Sequence, residues 1–254
     1  MWTMHIRRIG SSPLKGARHR SHESAEFALD GPVGDRVFAA VDLTRGVVLK
    51  TVQNPALLGC SARWEDGVLS IDIGGERHSA VPRPVGPRIE LDYWGRPSAL
   101  RVVEGPWAAP LSALLGREVV LARAEIPGAV VYGDAVSIAT TGSLRRLADA
   151  AGHDVDARRF RSNLEIDTGD AEPHLEDGWA GRELAVGGVV LRVAEGIPRC
   201  AVIDLDPATG ASGTRLLPSL AGYRLAAGAI PFGVYARVVR AGVISRGDAV
   251  RVSP

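Results

Sequence analysis

Residues 136–167 read VSIATTGSLRRLADAAGHDVDARRFRSNLEID, and this stretch decides the architecture. VSIAT is a short, partly β-branched apolar run, which predicts a strand. Thr141 then serves as a cap for the helix GSLRRLADAAG, which stops at Gly152. After a polar turn, ARRFRSNLEIDT at 157–168 predicts a second strand. Alternate side chains of a strand share a face, so Arg159, Arg161 and Asn163 would point one way and Arg158, Phe160 and Ser162 the other. Two guanidiniums beside a carboxamide suit a phosphate or the edge of a heterocycle. An edge strand guarded by charge is equally compatible with the pattern.

Outward from this unit, short apolar runs recur between glycine and proline punctuation. HIRRIG at 5–10 predicts a strand, followed by a polar connection around Pro13 and Gly16. RVFAAVD and GVVLKTVQ, joined by the turn LTRG, predict a hairpin, and ALLGCSARW with GVLSIDIGG predicts another. The proline-rich segment 81–107 breaks regularity. A short helix starts near Pro110 and stops at Gly116, ahead of a further strand. The turn IPGAVVYG at 126–133 is linker-like, and the coarse boundary read from composition lies close to it. Downstream, RELAVG, VVLRVAEG, RCAVIDLD, FGVYARVVR and DAVRVSP predict strands, with the turn DPATG and a helical patch LLPSLAGYR between them. The expected class is mainly β, an antiparallel β-barrel assembly with two or three short helices.

The chain has 254 residues, 46% of them hydrophobic, and a formal net charge of +1, so bulk attraction to nucleic acid or an acidic membrane is not expected. Only Lys15 and Lys50 are lysines among the 30 basic residues. A GC-rich genome accounts for that skew, although arginine also suits bidentate recognition of phosphate. The two cysteines, Cys60 and Cys200, cannot build a disulfide framework or a four-cysteine metal site by themselves. MWTMHIRRIG lacks the apolar core and cleavage site of a secretory leader, and no run is long enough to span a membrane. The expectation is a soluble, cytoplasmic protein.

Few residues stand out as reactive. Cys200, in IPRCAVIDLDPATG at 197–210, follows an arginine at the expected start of a strand, where a nearby cation favours the thiolate that binds soft metals. A lone cysteine beside an apolar strand is more often a small buried hydrophobe, which is the reading for Cys60. His19 and His22 lie three apart in a polar stretch and are expected at the surface. Phe232 and Tyr235 could wall a pocket or belong to the core. No nucleophile elbow, Walker-type loop or dinucleotide fingerprint is present.

Taken in order, these pieces resemble the MOSC family, the domain that ends eukaryotic molybdenum cofactor sulfurases. The carboxy-terminal half carries the resemblance best. Residues 136–167 are similar to the family's strand–helix–strand with its arginine–phenylalanine–arginine–proline–asparagine signature, with Ser162 where proline is usual. EDGWAGRELAVGGVVLRV, the Arg199–Cys200 step, DLDPATG and FGVYARVV follow in family order. PLKG at 13–16, GDRVFAAVD at 34–42 and TVQNPALLG at 51–59 resemble the amino-terminal β-barrel domain that accompanies it. On this resemblance the chain divides into an amino-terminal β-barrel domain at 1–90 and the MOSC domain at 91–254.

The resemblance implies a site for the molybdenum cofactor, a pterin dithiolene bearing a phosphate, with no pyridoxal phosphate expected. In members such as the mitochondrial amidoxime-reducing component a cysteine ligates molybdenum, and that position is Cys200 here. Arg161 and Asn163 would hold pterin or phosphate, with Arg36, Thr140 and Ser143 as further contacts, and Lys15, Arg159 and Arg199 completing the set. The family often carries a lysine–serine pair just before the PLKG-like piece. Ser12 and Pro13 stand there, which removes a cofactor contact and a basic group. Three functions are implied. The first is reduction of N-hydroxylated small molecules, with electrons from a separate flavoprotein or ferredoxin. The others are sulfur transfer through a Cys200 persulfide fed by an external sulfur donor, and carriage of the cofactor without turnover.

Overall fold

The computed structural model describes residues 4–253. Met1–Thr3, the start of the MWTMHIRRIG stretch in which no leader was read, and Pro254, the last residue of the DAVRVSP reading, lie outside the described residues. Strand Phe38–Asp42 is buried along its whole length. Its alternate residues serve two different cores, as the two-residue period of a strand requires. Ala39 and Val41 pack with Val48, Leu91, Tyr93, Leu100 and Ala122. Phe38 and Ala40 pack on the other side with Leu57, Leu69, Ile71, Trp107 and Leu111. Each fully buried side chain of this size stabilises the fold by about 1.5–3 kcal/mol.

The first of these cores lies inside a closed ring of five strands: Phe38–Asp42, Val47–Val48, Ile89–Tyr93, Arg96–Glu104 and Val120–Ala124. The ring closes where Leu100–Val102 pairs with Ala122–Ala124. A three-stranded sheet, Ser61–Glu65, Val68–Ile73 and Glu76–Ala80, and the helix Ala108–Leu115 cover its outer face. Gly116, left-handed at φ 63°, ends that helix as its sequence predicts.

The second sheet has eight strands and begins with the amino terminus. Its order is Arg20–His22, His5–Ser11, Leu164–Asp167, Val136–Thr140, Pro231–Arg240, Val189–Pro198, Glu183–Val186 and Val250–Val252. Backbone bonds from Ile6 N to the Asp248 carbonyl (2.9 Å) and from Val250 N to the Met4 carbonyl (2.8 Å) bring its edges together. Ile6, Ile138, Leu164, Leu191, Val234 and Val250 fill the interior. Most neighbours are antiparallel. Val136–Thr140 and Leu164–Asp167, however, run parallel, which is why the helix Thr141–Ala151 crosses between them.

Several expectations from sequence need correction. The helix cap is Thr140, not Thr141: Thr140 is extended, and its hydroxyl accepts the Ser143 N–H at 3.3 Å. The segment 81–107 is far from irregular, since Ile89–Tyr93 and Arg96–Glu104 form a hairpin across Trp94–Gly95. Proline falls at the start of the second strand, where it spoils no ladder bond. GVVLKTVQ contributes only Val47–Val48, and RCAVIDLD is a single 3-10 turn at Ala201–Asp204. Residues 157–168 are not one strand either. Asp156 caps a 3-10 turn over Ala157–Phe160, Arg161 is left-handed at φ 52°, and the strand starts only at Leu164.

Candidate functional site

At the junction of the ring and the eight-stranded sheet lies a cavity of about 370 Å³, within the usual range of small-molecule sites, about 300–1,000 Å³. Six of the nine residues that the resemblance assigns to the cofactor line it: Lys15, Arg36, Arg159, Arg161, Arg199 and Cys200. Arg159 and Arg161 arrive by a route the strand reading missed. The tight turn and the left-handed residue after it swing both toward the cavity, whereas strand alternation would have carried Asn163 along with them. Cys200 follows the strand Val189–Pro198 at the point where the chain bends into its 3-10 turn, and it is exposed.

The basic groups are anchored from behind. Arg161 Nη1 donates to the Ala17 carbonyl at 2.6 Å. Arg199 Nε and Nη1 donate to the carbonyls of Phe232 (2.8 Å) and Phe160 (3.0 Å), and its guanidinium lies over the stacked rings of the same two residues. Arg159 Nη1 donates to the Leu205 carbonyl at 2.5 Å. Arg36 donates to the Arg161 carbonyl and to His19 Nε2, both at 3.3 Å, and pairs with Asp35 at 3.5 Å. Three donors are left over: Arg161 Nη2, Arg199 Nη2 and the Tyr93 hydroxyl are buried without any hydrogen-bond partner among the described residues. An unpaired buried donor is costly, so each of these groups has a hydrogen bond to offer an acceptor that enters the cavity.

Crowding of like charge shows in the ionisation behaviour. Burial, and then Arg36 and Arg161, push the Lys15 ammonium from 10.5 down to about 7. Burial and Arg36 push Arg161 down to about 9, and burial takes Arg199 to about 10. A bound anion would relieve all three by pairing with the charged forms. His19 is buried beside the same cations and held well below the usual histidine range, first by burial. It is therefore neutral near pH 7 and accepts from Arg36, which corrects its expected surface placement: a polar stretch has folded inward to support an arginine. His22 is partly buried and shares a hydrogen bond with Ser11 Oγ at 2.9 Å.

Asn163, Thr140 and Ser143 are buried and committed elsewhere. Asn163 Oδ1 accepts from the Ser137 N–H (3.1 Å) and hydroxyl (2.9 Å), while its amide donates to the Gly10 carbonyl and to Asp35. Asp35 also accepts the Ser12 N–H at 2.9 Å, so Asn163 and Asp35 lock the loop that presents Arg36. Thr140 and Ser143 donate to the fully buried carboxylate of Glu176 at 2.9 and 2.6 Å. Ser12 is buried with its hydroxyl on the Leu14 carbonyl, and Lys15 supplies an amine to the cavity. Cys60 is a core residue, as read, and burial pushes its thiol up to about 11.

Sequence reading missed most of the aromatic and cationic rim: Lys50, Tyr93, Trp94 and Tyr132 all line the cavity. Of the two aromatics that could wall a pocket or belong to the core, Tyr235 lines the cavity and Phe232 packs in the core behind it. The only signal available was an odd one, a tryptophan preceding glycine in a tight turn.

Among known proteins, a stretch of 85 residues is 40% identical to the molybdenum cofactor sulfurase of Solanum lycopersicum. The match takes in 33% of this chain and 10% of that much longer protein. Two solved structures align at scores too low to argue a fold from. The YUAD protein from Bacillus subtilis is 12% identical with a TM-score of 0.47 over 99% of this chain and 98% of its own. YiiM from Geobacillus stearothermophilus is 19% identical with a TM-score of 0.35 over 47% of this chain and 54% of its own. Residues 122–251, just over half of the chain, match the model of the MOSC domain, and the chain therefore belongs to the MOSC domain family.

Proposed function

We propose that the cavity binds the molybdenum cofactor and that the chain is an oxidoreductase acting on N-hydroxylated or N-oxygenated small molecules. One observation carries the binding reading: the residues that hold the three orphaned buried donors, together with Lys15, line the same cavity as the exposed Cys200. The donor set fits the group. Guanidiniums and an ammonium suit its phosphate, the tyrosines suit a flat heterocycle, and a thiolate suits a soft metal. Arg161, Arg199 and Lys15 would hold the anionic end, and Cys200 would ligate the metal. Bound there, the group supplies redox chemistry at molybdenum.

The chain's own part is orientation and charge. The carbonyls of Ala17, Phe160 and Phe232 fix the arginines before any ligand arrives, so little ordering is left to do on binding. Removing oxygen from an N-hydroxyl group consumes two electrons and two protons and releases water. The electrons come from a separate flavoprotein or ferredoxin, for which the exposed side of Cys200 leaves access.

A second reading draws on the likeness to the tomato sulfurase together with the open position of Cys200: a persulfide carrier passing sulfur onward. The deciding experiment measures molybdenum and oxidised-pterin fluorescence in protein from a cofactor-competent host, beside Cys200→Ser. Near-stoichiometric metal in wild type and its loss in the variant supports the reductase. Pterin without turnover in the presence of reductant identifies a carrier. Neither metal nor pterin in wild type refutes the cofactor reading and directs attention to persulfide on Cys200.

A further inference from the structure

Among the residues that line the cavity, two large aromatic side chains face solvent. Trp94 is 45% exposed and Tyr132 is 47% exposed, with ring centroids 5.2 Å apart. Scattered exposed aromatics are ordinary, but a touching pair on the rim of a charged cavity is not. Backbone geometry sharpens the point. Trp94 and Gly95 form the two-residue turn of the hairpin Ile89–Tyr93/Arg96–Glu104, at φ 58° and φ 75°. That turn favours asparagine followed by glycine, and a bulky residue in its first place is strained. Local stability would replace this tryptophan, so a role outside the turn is the better account of its presence.

The pair is also held in place. Asp92 Oδ1 accepts the Gly95 N–H at 2.8 Å, Arg96 donates to the Val131 carbonyl, and Ser98 Oγ donates to the Ala129 carbonyl at 2.7 Å. The first bond braces the turn, and the other two tie the hairpin to the loop carrying Tyr132. Lys50 Nζ lies 4.2 Å from the Trp94 ring centroid, a contact that is weak on an exposed ring and readily exchanged.

We infer that Trp94, Tyr132 and Lys50 form the substrate subsite of this cavity and select a planar aromatic molecule carrying a negative charge. The ligand's ring takes the indole face that Lys50 covers, and the freed ammonium turns to the anionic substituent. This assignment rests on the proposed cofactor reading and adds a substrate class to it.

Calorimetric titration of the purified protein with 2-naphthoate, cyclohexanecarboxylate and 2-naphthamide tests it. Equal charge on the two carboxylates cancels any contribution from the deep arginines. Naphthoate is expected to bind about tenfold more tightly than cyclohexanecarboxylate, the scale of one aromatic stacking contact with its buried area. Trp94→Asn, which suits the turn and keeps the fold, abolishes that preference while retaining thermal stability at or above wild type. Lys50→Gln weakens both carboxylates several-fold and leaves 2-naphthamide unchanged. Equal binding of naphthoate by wild type and Trp94→Asn, or no preference in wild type, overturns the subsite. Molybdenum content measured on the same samples reports separately on the cofactor reading, which a failed titration does not touch.

Discussion

Replacing Lys15 by methionine should stabilise the protein and at the same time weaken its hold on anions. Lys15 packs 5.5 Å from the Tyr93 ring centroid, beside Arg36 and Arg161, and its ammonium is pushed from 10.5 to about 7. Between those values the unfolded chain holds the proton and the folded chain does not. Stability contributed through this group therefore rises with pH from about 7 toward 10.5, and the charged form is the destabilising one below that window. One unit of pKa is about 1.4 kcal/mol, so two pH units correspond to at most about 2.7 kcal/mol, and partial exposure reduces this to about 1–2 kcal/mol. Urea unfolding of wild type and Lys15→Met at pH 7 and pH 9 measures the difference in slope. Methionine keeps the stem's packing and removes the titration. With inorganic phosphate present the wild-type slope should flatten, because the anion draws the proton back. Phosphate binding should fall about 10- to 100-fold in the variant, the worth of one charge-assisted hydrogen bond. Parallel curves for the two proteins, or equal stabilisation of both by phosphate, would refute the account of Lys15 as a crowded, anion-seeking cation.

Other outcomes follow from the same geometry. Asn163→Ala should cost about 2–4 kcal/mol in denaturant unfolding, since it removes the buried acceptor of the Ser137 N–H and hydroxyl and a donor to the Gly10 carbonyl. Gly233→Ala should destabilise by more than about 2 kcal/mol: φ is +70°, and a methyl group would press on the Ile138 carbonyl and reach 3.3 Å from Arg199 Nη2. Anion affinity should fall with it as Arg199 shifts. In native protein a thiol reagent should modify one cysteine quickly, Cys200, and reach Cys60 only on unfolding. Two fast thiols would contradict the burial of Cys60.

Local chemistry was legible where it acts over a few residues. The helix 141–151 with its stop at Gly152, the turn DPATG, the hairpins and the mainly β class all follow from propensity, capping and alternation. Asp206 bears out the turn, accepting the N–H groups of Ala208 and Thr209. Cys200 and Arg161 were legible too, as unusual residue types in a resembling order. Failure came where a long-range partner overruled local pattern. ARRFRSN alternates well enough for a strand, yet the Asp156 cap and the left-handed Arg161 turn it into a presenting loop. His19 sits in a polar stretch, but the arginines folded around it bury it.

The sequence by itself determined the mainly β class, most of the strands and helices and the parentage of the domain, and it singled out Cys200 and Arg161, because propensities and motif order are properties of neighbours along the chain. Only the tertiary structure decided that residues as far apart as 15, 36, 93, 132, 161 and 199 share one cavity. It also decided which arginine nitrogens are left without partners there, and that Asn163 and Thr140 support the site from behind. Convergence of that kind depends on how two sheets pack against each other, and packing is a free-energy balance over the whole chain that no local pattern encodes.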